Sequence, residues 1–124
     1  MTAFDFGEFL VLAEELGNRA DHPSRRSAVS RAYYASLGVA SRALPKQARA
    51  RITPGNVHRV TWSLYTASSD RTMRHVGNLG LQLRIVRVAA DYDEAQVFSA
   101  GYVASSLANA REIIHILSQR GYRP

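Results

Sequence analysis

The sequence predicts an all-α fold: an up-and-down antiparallel bundle of four long helices plus one short additional helix. Three observations predict it. No segment alternates cleanly between apolar and polar residues, and no Asn-Gly or Asp-Gly hairpin turn occurs. Apolar residues instead recur at spacings of three and four along the chain. The connections between these periodic segments are short, which makes successive helices antiparallel neighbours.

The first helix is expected from about Phe4 to Leu16, with Phe6, Phe9, Leu10, Ala13 and Leu16 on one face and Gly17-Asn18 as its stop. "DHPS" connects it to a second helix over about Arg25 to Leu44, capped by Ser24 and stopped by Pro45. Tyr33, Leu37, Ala40 and Leu44 repeat there at helical spacing, beside small residues that permit close helix approach. "PKQARARI" reads as a basic exposed loop. A short third helix follows over about Pro54 to Ala67, with Thr53 as cap and Pro54 in the first position. Ser69-Asp70 restarts the chain into a fourth helix that runs to about Ala90 on a Leu79, Leu83, Val86, Ala90 stripe. Gly77 and Gly80 each weaken that helix by roughly 1 kcal/mol against alanine, tolerable where another backbone packs closely. Asp93 is expected to cap a fifth helix reaching Gln119 or Arg120, with Glu94 in its first turn and Gln96 in the capping-box position.

The 124 residues are the size of one domain, and no linker or repeat divides them. A domain of this length buries roughly two-thirds of its unfolded surface and can build its own core. Cysteine is absent, which excludes a disulfide framework and any cysteine-bearing zinc site. The start "MTAFDFGEFLVLAEELG" is acidic rather than signal-like, and no apolar run reaches the roughly 18 residues of a membrane span. The expectation is a cytoplasmic protein without a membrane partner.

Charge points toward an anionic partner. The net charge is +6, and residues 22 to 90 carry twelve cations against the single acid Asp70. Fifteen of the sixteen cations are arginine, whose planar fork suits phosphate, although a genome rich in G and C would also favour arginine codons. The alternative is a solvated basic face. Arg42, Lys46, Arg49 and Arg51 cluster at a helix end and loop and are the expected RNA phosphate contacts.

The stretch "RIVRVAADYDEA" carries a second signal. An acid in the last turn of a helix opposes the macrodipole, so Asp91 calls for a partner. Arg87 lies four residues before it on the same face. Arg31, which opens "RAYYA" in an otherwise apolar segment, is the expected second arginine.

At this point the chain resembles the HEPN-domain proteins (higher eukaryotes and prokaryotes nucleotide-binding). "SAVSRAYYASLGVASRAL" is similar to their signature second helix, and His58 in "NVHRV", the apolar "TWSLY", Arg87 and "ADYD" follow in register. The resemblance covers about residues 5 to 118. It implies a four- or five-helix bundle, usually a homodimer. Many such proteins are small, prokaryotic and encoded beside a minimal nucleotidyltransferase, as the toxin of a toxin–antitoxin pair. Others serve phage defence or RNA processing. Active members are ribonucleases that use no metal, with a motif of arginine, four to six residues, then histidine. This sequence departs from that motif: Arg71 and His75, like Arg111 and His115, have three residues between them.

Metal-free RNA cleavage needs a base, a cation on the phosphate and an acid for the leaving oxygen. Arg31, His58, Arg87, Asp91 and Tyr92 supply those types, with His58 as the base, its unperturbed pKa being near neutrality. The competing reading is a polar cluster in which Asp91 bonds Arg31 and Arg87 while the Tyr34 and Tyr92 hydroxyls satisfy leftover groups; such a cluster could also bind phosphate without cleaving it. Trp62 and Tyr65 either stack bases or pack on the second helix. His22 is expected to face solvent and His115 to sit at the core edge. No metal-ligand spacing is present among the histidines, and neither metal nor cofactor is expected. The functional expectation is an RNA- or nucleotide-binding protein of a toxin–antitoxin or defence system, cleaving RNA or only binding it. Its partners would be RNA, a nucleotidyltransferase antitoxin and a second copy of itself. The alternative is a non-catalytic module that binds a nucleotidyltransferase or a larger assembly.

Overall fold

In the computed structural model, residues 3–122 are described, and all their regular elements are helical. In chain order these are α1 (Glu8–Gly17), α2 (His22–Ala43), α3 (Lys46–Arg49), α4 (Val57–Thr66), α5 (Arg71–Tyr92) and α6 (Ala100–Gln119). The all-α class is as expected, but the proportions differ. Three helices are long, α1 and α4 have 10 residues each, and α3 is a single turn inside the expected basic loop.

Local chemistry explains the shifted boundaries. Asp5 Oδ1 accepts from the Gly7 N–H at 2.9 Å, a turn that delays α1 to Glu8. Asp21, not Ser24, caps α2: its Oδ2 accepts from Ser24 N at 3.0 Å, which leaves Pro23 in the first turn, where a missing N–H costs nothing. Thr53 does not cap α4. Its N–H donates to Asn56 Oδ1 at 2.7 Å in a turn, and the helix starts at Val57 without a side-chain cap. Asp70 caps α5 by accepting from Thr72 N and Met73 N.

The largest difference concerns Asp93. It ends α5 rather than starting α6, and its Oδ1 accepts from Ala95 N. Arg26 sets this arrangement. Its guanidinium donates to the carbonyls of Ala89, Ala90, Asp93 and Gln96, so the last two face the arginine instead of opening a helix ladder. The α6 cap is Ser99, whose Oγ accepts from Tyr102 N.

α2 is the central helix, packed against α1, α4, α5 and α6. Its small residues allow this: Gly38 lies directly under the Phe6 ring. Contacts also fix the helix directions. The α5 C-terminus meets Arg26 near the start of α2, while the α5 cap Asp70 meets Arg120 just past the end of α6. Thus α5 runs antiparallel to both. Trp62, Tyr33, Phe98, Leu83 and Ile113 are the largest fully buried side chains and mark the core. Trp62 seats α4 directly against Gly80 of α5, and the Thr66 backbone approaches Gly77, the close approach that these glycines require. Among the described residues, no helix is long and apolar enough to cross a membrane.

Candidate functional site

The "SRAYY" turn of α2, the first turn of α4 and the last turns of α5 converge. Consecutive positions of α2 point about 100° apart, so each residue of the turn meets a different neighbour. Ser30 Oγ donates to Asp91 Oδ2 at 3.3 Å on α5. The Arg31 guanidinium lies 5.2 Å from the centroids of both Phe9 and Tyr34. Tyr33 points inward, and its Oη is 2.7 Å from His58 Nδ1 and 3.0 Å from the donating Trp62 Nε1.

Tyr34 is the hub. Arg31 approaches its ring at 5.2 Å and Arg87 at 5.0 Å. His58 meets it edge-on at 6.0 Å, and Tyr33 does so at 5.4 Å. Arg87 extends the cluster outward: its guanidinium is 5.7 Å from the Tyr92 ring, and its Nε is 2.8 Å from Asp91 Oδ2. The buried Nε–H is not aligned on that carboxylate oxygen, so the contact is ionic rather than a hydrogen bond.

Arg31, His58 and Arg87 therefore meet at one tyrosine, and Asp91 and Tyr92 adjoin through Arg87, with one correction. Arg31 makes no ion pair with Asp91; Ser30, one position earlier, faces the carboxylate, and Arg31 spends its charge on two aromatic faces. The guanidinium groups of Arg31, Arg84 and Arg87 make no hydrogen bond among the described residues, while Asp91 is the carboxylate in contact. The neighbourhood is thus positive and rich in unused N–H donors. The uncapped α4 N-terminus adds to that field beside His58.

Burial holds the His58 pKa below its ordinary value, and the positive charges of Arg84 and Arg87 lower it further. Tyr33 is shifted up, chiefly by burial. His58 therefore stays neutral at pH 7, and Tyr33 keeps its proton.

The other expected residues lie elsewhere. Arg42 is 3.9 Å over the Phe6 ring and donates weakly to Gly38 O at 3.4 Å. Lys46 and Arg49 are exposed on α3, and Arg51 is exposed just beyond it. Arg42 is eight residues past Tyr34, roughly 12 Å along the helix axis, so this basic patch is separate from the cluster. Trp62 and Tyr65 are buried and do not stack bases; Tyr65 Oη donates to Ala40 O at 2.6 Å. His22 does not face solvent freely, because its Nε2 accepts from Phe98 N at 3.1 Å. His75 pairs with Glu112, and His115 is exposed rather than at the core edge. Among the described residues, no group of three or more acidic or histidine side chains could hold a metal.

Sequence reasoning missed Arg84, Ser30 and the polar role of Tyr33. Arg84 and Arg87 share a helix face at three-residue spacing, which was a usable signal. Tyr33 falls on the apolar repeat and reads as core; nothing in the pattern marks its hydroxyl as bonded.

The protein is all-helical among the described residues, with an arginine–tyrosine–histidine cluster where three helices meet. No protein-family model matches the chain, and neither a curated protein nor a solved structure matches it.

Proposed function

We propose that the chain is a HEPN-like bundle of a prokaryotic toxin–antitoxin or defence system, and that it binds RNA phosphate at the Tyr34 cluster. One observation supports the phosphate site: Arg31 and Arg87 face the Tyr34 ring without a hydrogen-bond partner among the described residues, Arg84 and Arg87 act on the neighbouring His58, and one carboxylate is in contact. Such a surplus of donors favours a phosphodiester. The Tyr92 ring, 75% exposed, offers a stacking face for an adjacent base. The basic patch of Arg42, Lys46, Arg49 and Arg51 would hold the strand further along.

The test is binding of a short single-stranded oligoribonucleotide across a salt series, in chelator. Binding that weakens steeply with salt, and weakens further in Arg31→Ala and Arg87→Ala, supports the reading. Absence of binding at low salt overturns it. Cutting of the RNA in chelator, lost in His58→Ala, would make the site a nuclease.

A second reading is an interaction module, a homodimer or a partner of a nucleotidyltransferase. Leu81, Ile85 and Val88 favour it: they lie exposed along one face of α5, next to Arg84. Ile85→Glu with light-scattering mass measurement tests self-association, and co-purification at fixed ratio tests the enzyme partner.

A further inference from the structure

The hydrogen bond between Tyr33 and His58 has a direction, and that direction fixes which imidazole nitrogen carries the proton. The Trp62 indole can only donate, so the Tyr33 oxygen accepts at 3.0 Å. Tyr33 is fully buried, and its hydroxyl proton needs an acceptor. Among the described residues, the other group at that oxygen is His58 Nδ1, at 2.7 Å. If Nδ1 carried the proton, the Tyr33 oxygen would face two N–H donors, and its own proton would be buried without a partner. The two rings lie parallel within 3°, with centroids 5.6 Å apart, so the 2.7 Å contact is held between two fixed ring planes.

We propose that Tyr33, oriented by Trp62, is a positioning residue that holds His58 as the neutral tautomer protonated on Nε2. His58 then meets a ligand as an N–H donor, not as a base. The inference rests on the phosphate-binding reading and deepens it. A phosphate oxygen accepts from Nε2–H with no need for a charged ring. A ribose 2′-hydroxyl cannot lose its proton to a nitrogen that already holds one.

The surroundings act in the same sense. From α5, Arg84 and Arg87 oppose a positive imidazole. From α2, Arg31 adds charge across Tyr34, and the Tyr33 hydroxyl keeps its proton. Asp91, the nearby carboxylate, is engaged by Arg87 and Ser30. From α4 itself, the helix N-terminus places its positive end beside the ring.

The experiment is long-range nitrogen–proton correlation NMR of the histidine rings in the whole protein, with His58 assigned by its loss in His58→Gln. The expected wild-type result is a protonated Nε2 and a lone pair on Nδ1. In Tyr33→Phe, Nδ1 loses its donor; the expected results are a mixed tautomer and a titration midpoint shifted upward. Oligoribonucleotide affinity should be nearly flat with pH in the wild type near neutrality. In Tyr33→Phe it should tighten on acidification, by up to about tenfold per pH unit. A wild-type ring protonated on Nδ1 overturns the proposal, even if the variant fails to fold. So does a folded Tyr33→Phe with unchanged tautomer and titration. If the Nε2–H form is found but wild-type protein binds no RNA, the phosphate reading fails and the positioning role of Tyr33 stands.

Discussion

Arg26 holds Asp93 by its backbone: Nη2 donates to the Asp93 carbonyl at 2.7 Å, across 67 residues of chain. The same guanidinium reaches Ala89, Ala90 and Gln96, and it lies 5.2 Å from the Phe98 ring. One side chain thus closes the end of α5 and shapes the link to α6. Removing it strands the carbonyls of Ala90, Asp93 and Gln96, while Ala89 O keeps the Asp93 N–H. Arg26→Ala is expected to cost about 2–4 kcal/mol, read from the urea midpoint. Arg26→Lys should recover little, because one ammonium cannot span the fork. Asp91 and Tyr92 sit at the freed end, so under the proposed phosphate-binding role oligoribonucleotide affinity should fall as well.

Gly77 gives a prediction of opposite sign to intuition. Alanine is normally the better helix former by about 1 kcal/mol. A Cβ here, however, would sit 2.7 Å from the Thr66 backbone nitrogen, which cannot swing away. Gly77→Ala should therefore destabilise by about 1–3 kcal/mol, whereas Gly101→Ala, with open space around it, should not. Chemical denaturation of both variants checks the contrast.

These two cases show what the sequence made legible. The two α5 glycines carried a packing message that holds, because a helix interior tolerates glycine where something lies close. The α5–α6 boundary was misplaced because Asp93-Glu94-Ala95-Gln96 is a good local helix start. The decisive groups, the Arg26 donors, come from a residue far away in sequence. Local propensity lost to a tertiary contact that no window of residues contains. The neighbourhood was legible in part: Arg31, His58 and Arg87 meet at Tyr34, and Asp91 and Tyr92 lie beside Arg87. Its bonding was not. Whether residue 30 or 31 faces Asp91 depends on the rotation of α2, which a helix buried on so many sides does not reveal by its apolar pattern.

Tyr65 ties α4 to α2 through its 2.6 Å bond to Ala40 O. Tyr65→Phe leaves that buried carbonyl unpaired and should cost about 1–3 kcal/mol. Burial also raises the phenol pKa strongly above 10. The folded state holds this proton more tightly than the unfolded one. The resulting stability is fully present below about pH 10 and is lost as pH rises through the folded value. Wild-type protein should therefore weaken in alkali more steeply than Tyr65→Phe, as read by urea midpoints across an alkaline series.

His58 predicts the acid side. Its folded pKa lies below the unfolded value of about 6.5, with burial first and the Arg84 and Arg87 charges next among the causes. The unfolded chain thus binds the proton more readily. Stability from the neutral ring is complete above about pH 6.5 and is lost as pH falls through the folded pKa. Urea midpoints measured from about pH 7 down to about pH 5 should decline in the wild type and decline less in His58→Gln. Asp21 and Asp70 also have lowered pKa values, Asp21 chiefly through its Ser24 bond and Asp70 through its Arg120 bond. Their contributions fade only below the ordinary carboxylate range of about 4, so they leave the His58 window undisturbed. Equal slopes in the two proteins would show that His58 is not held neutral by its surroundings.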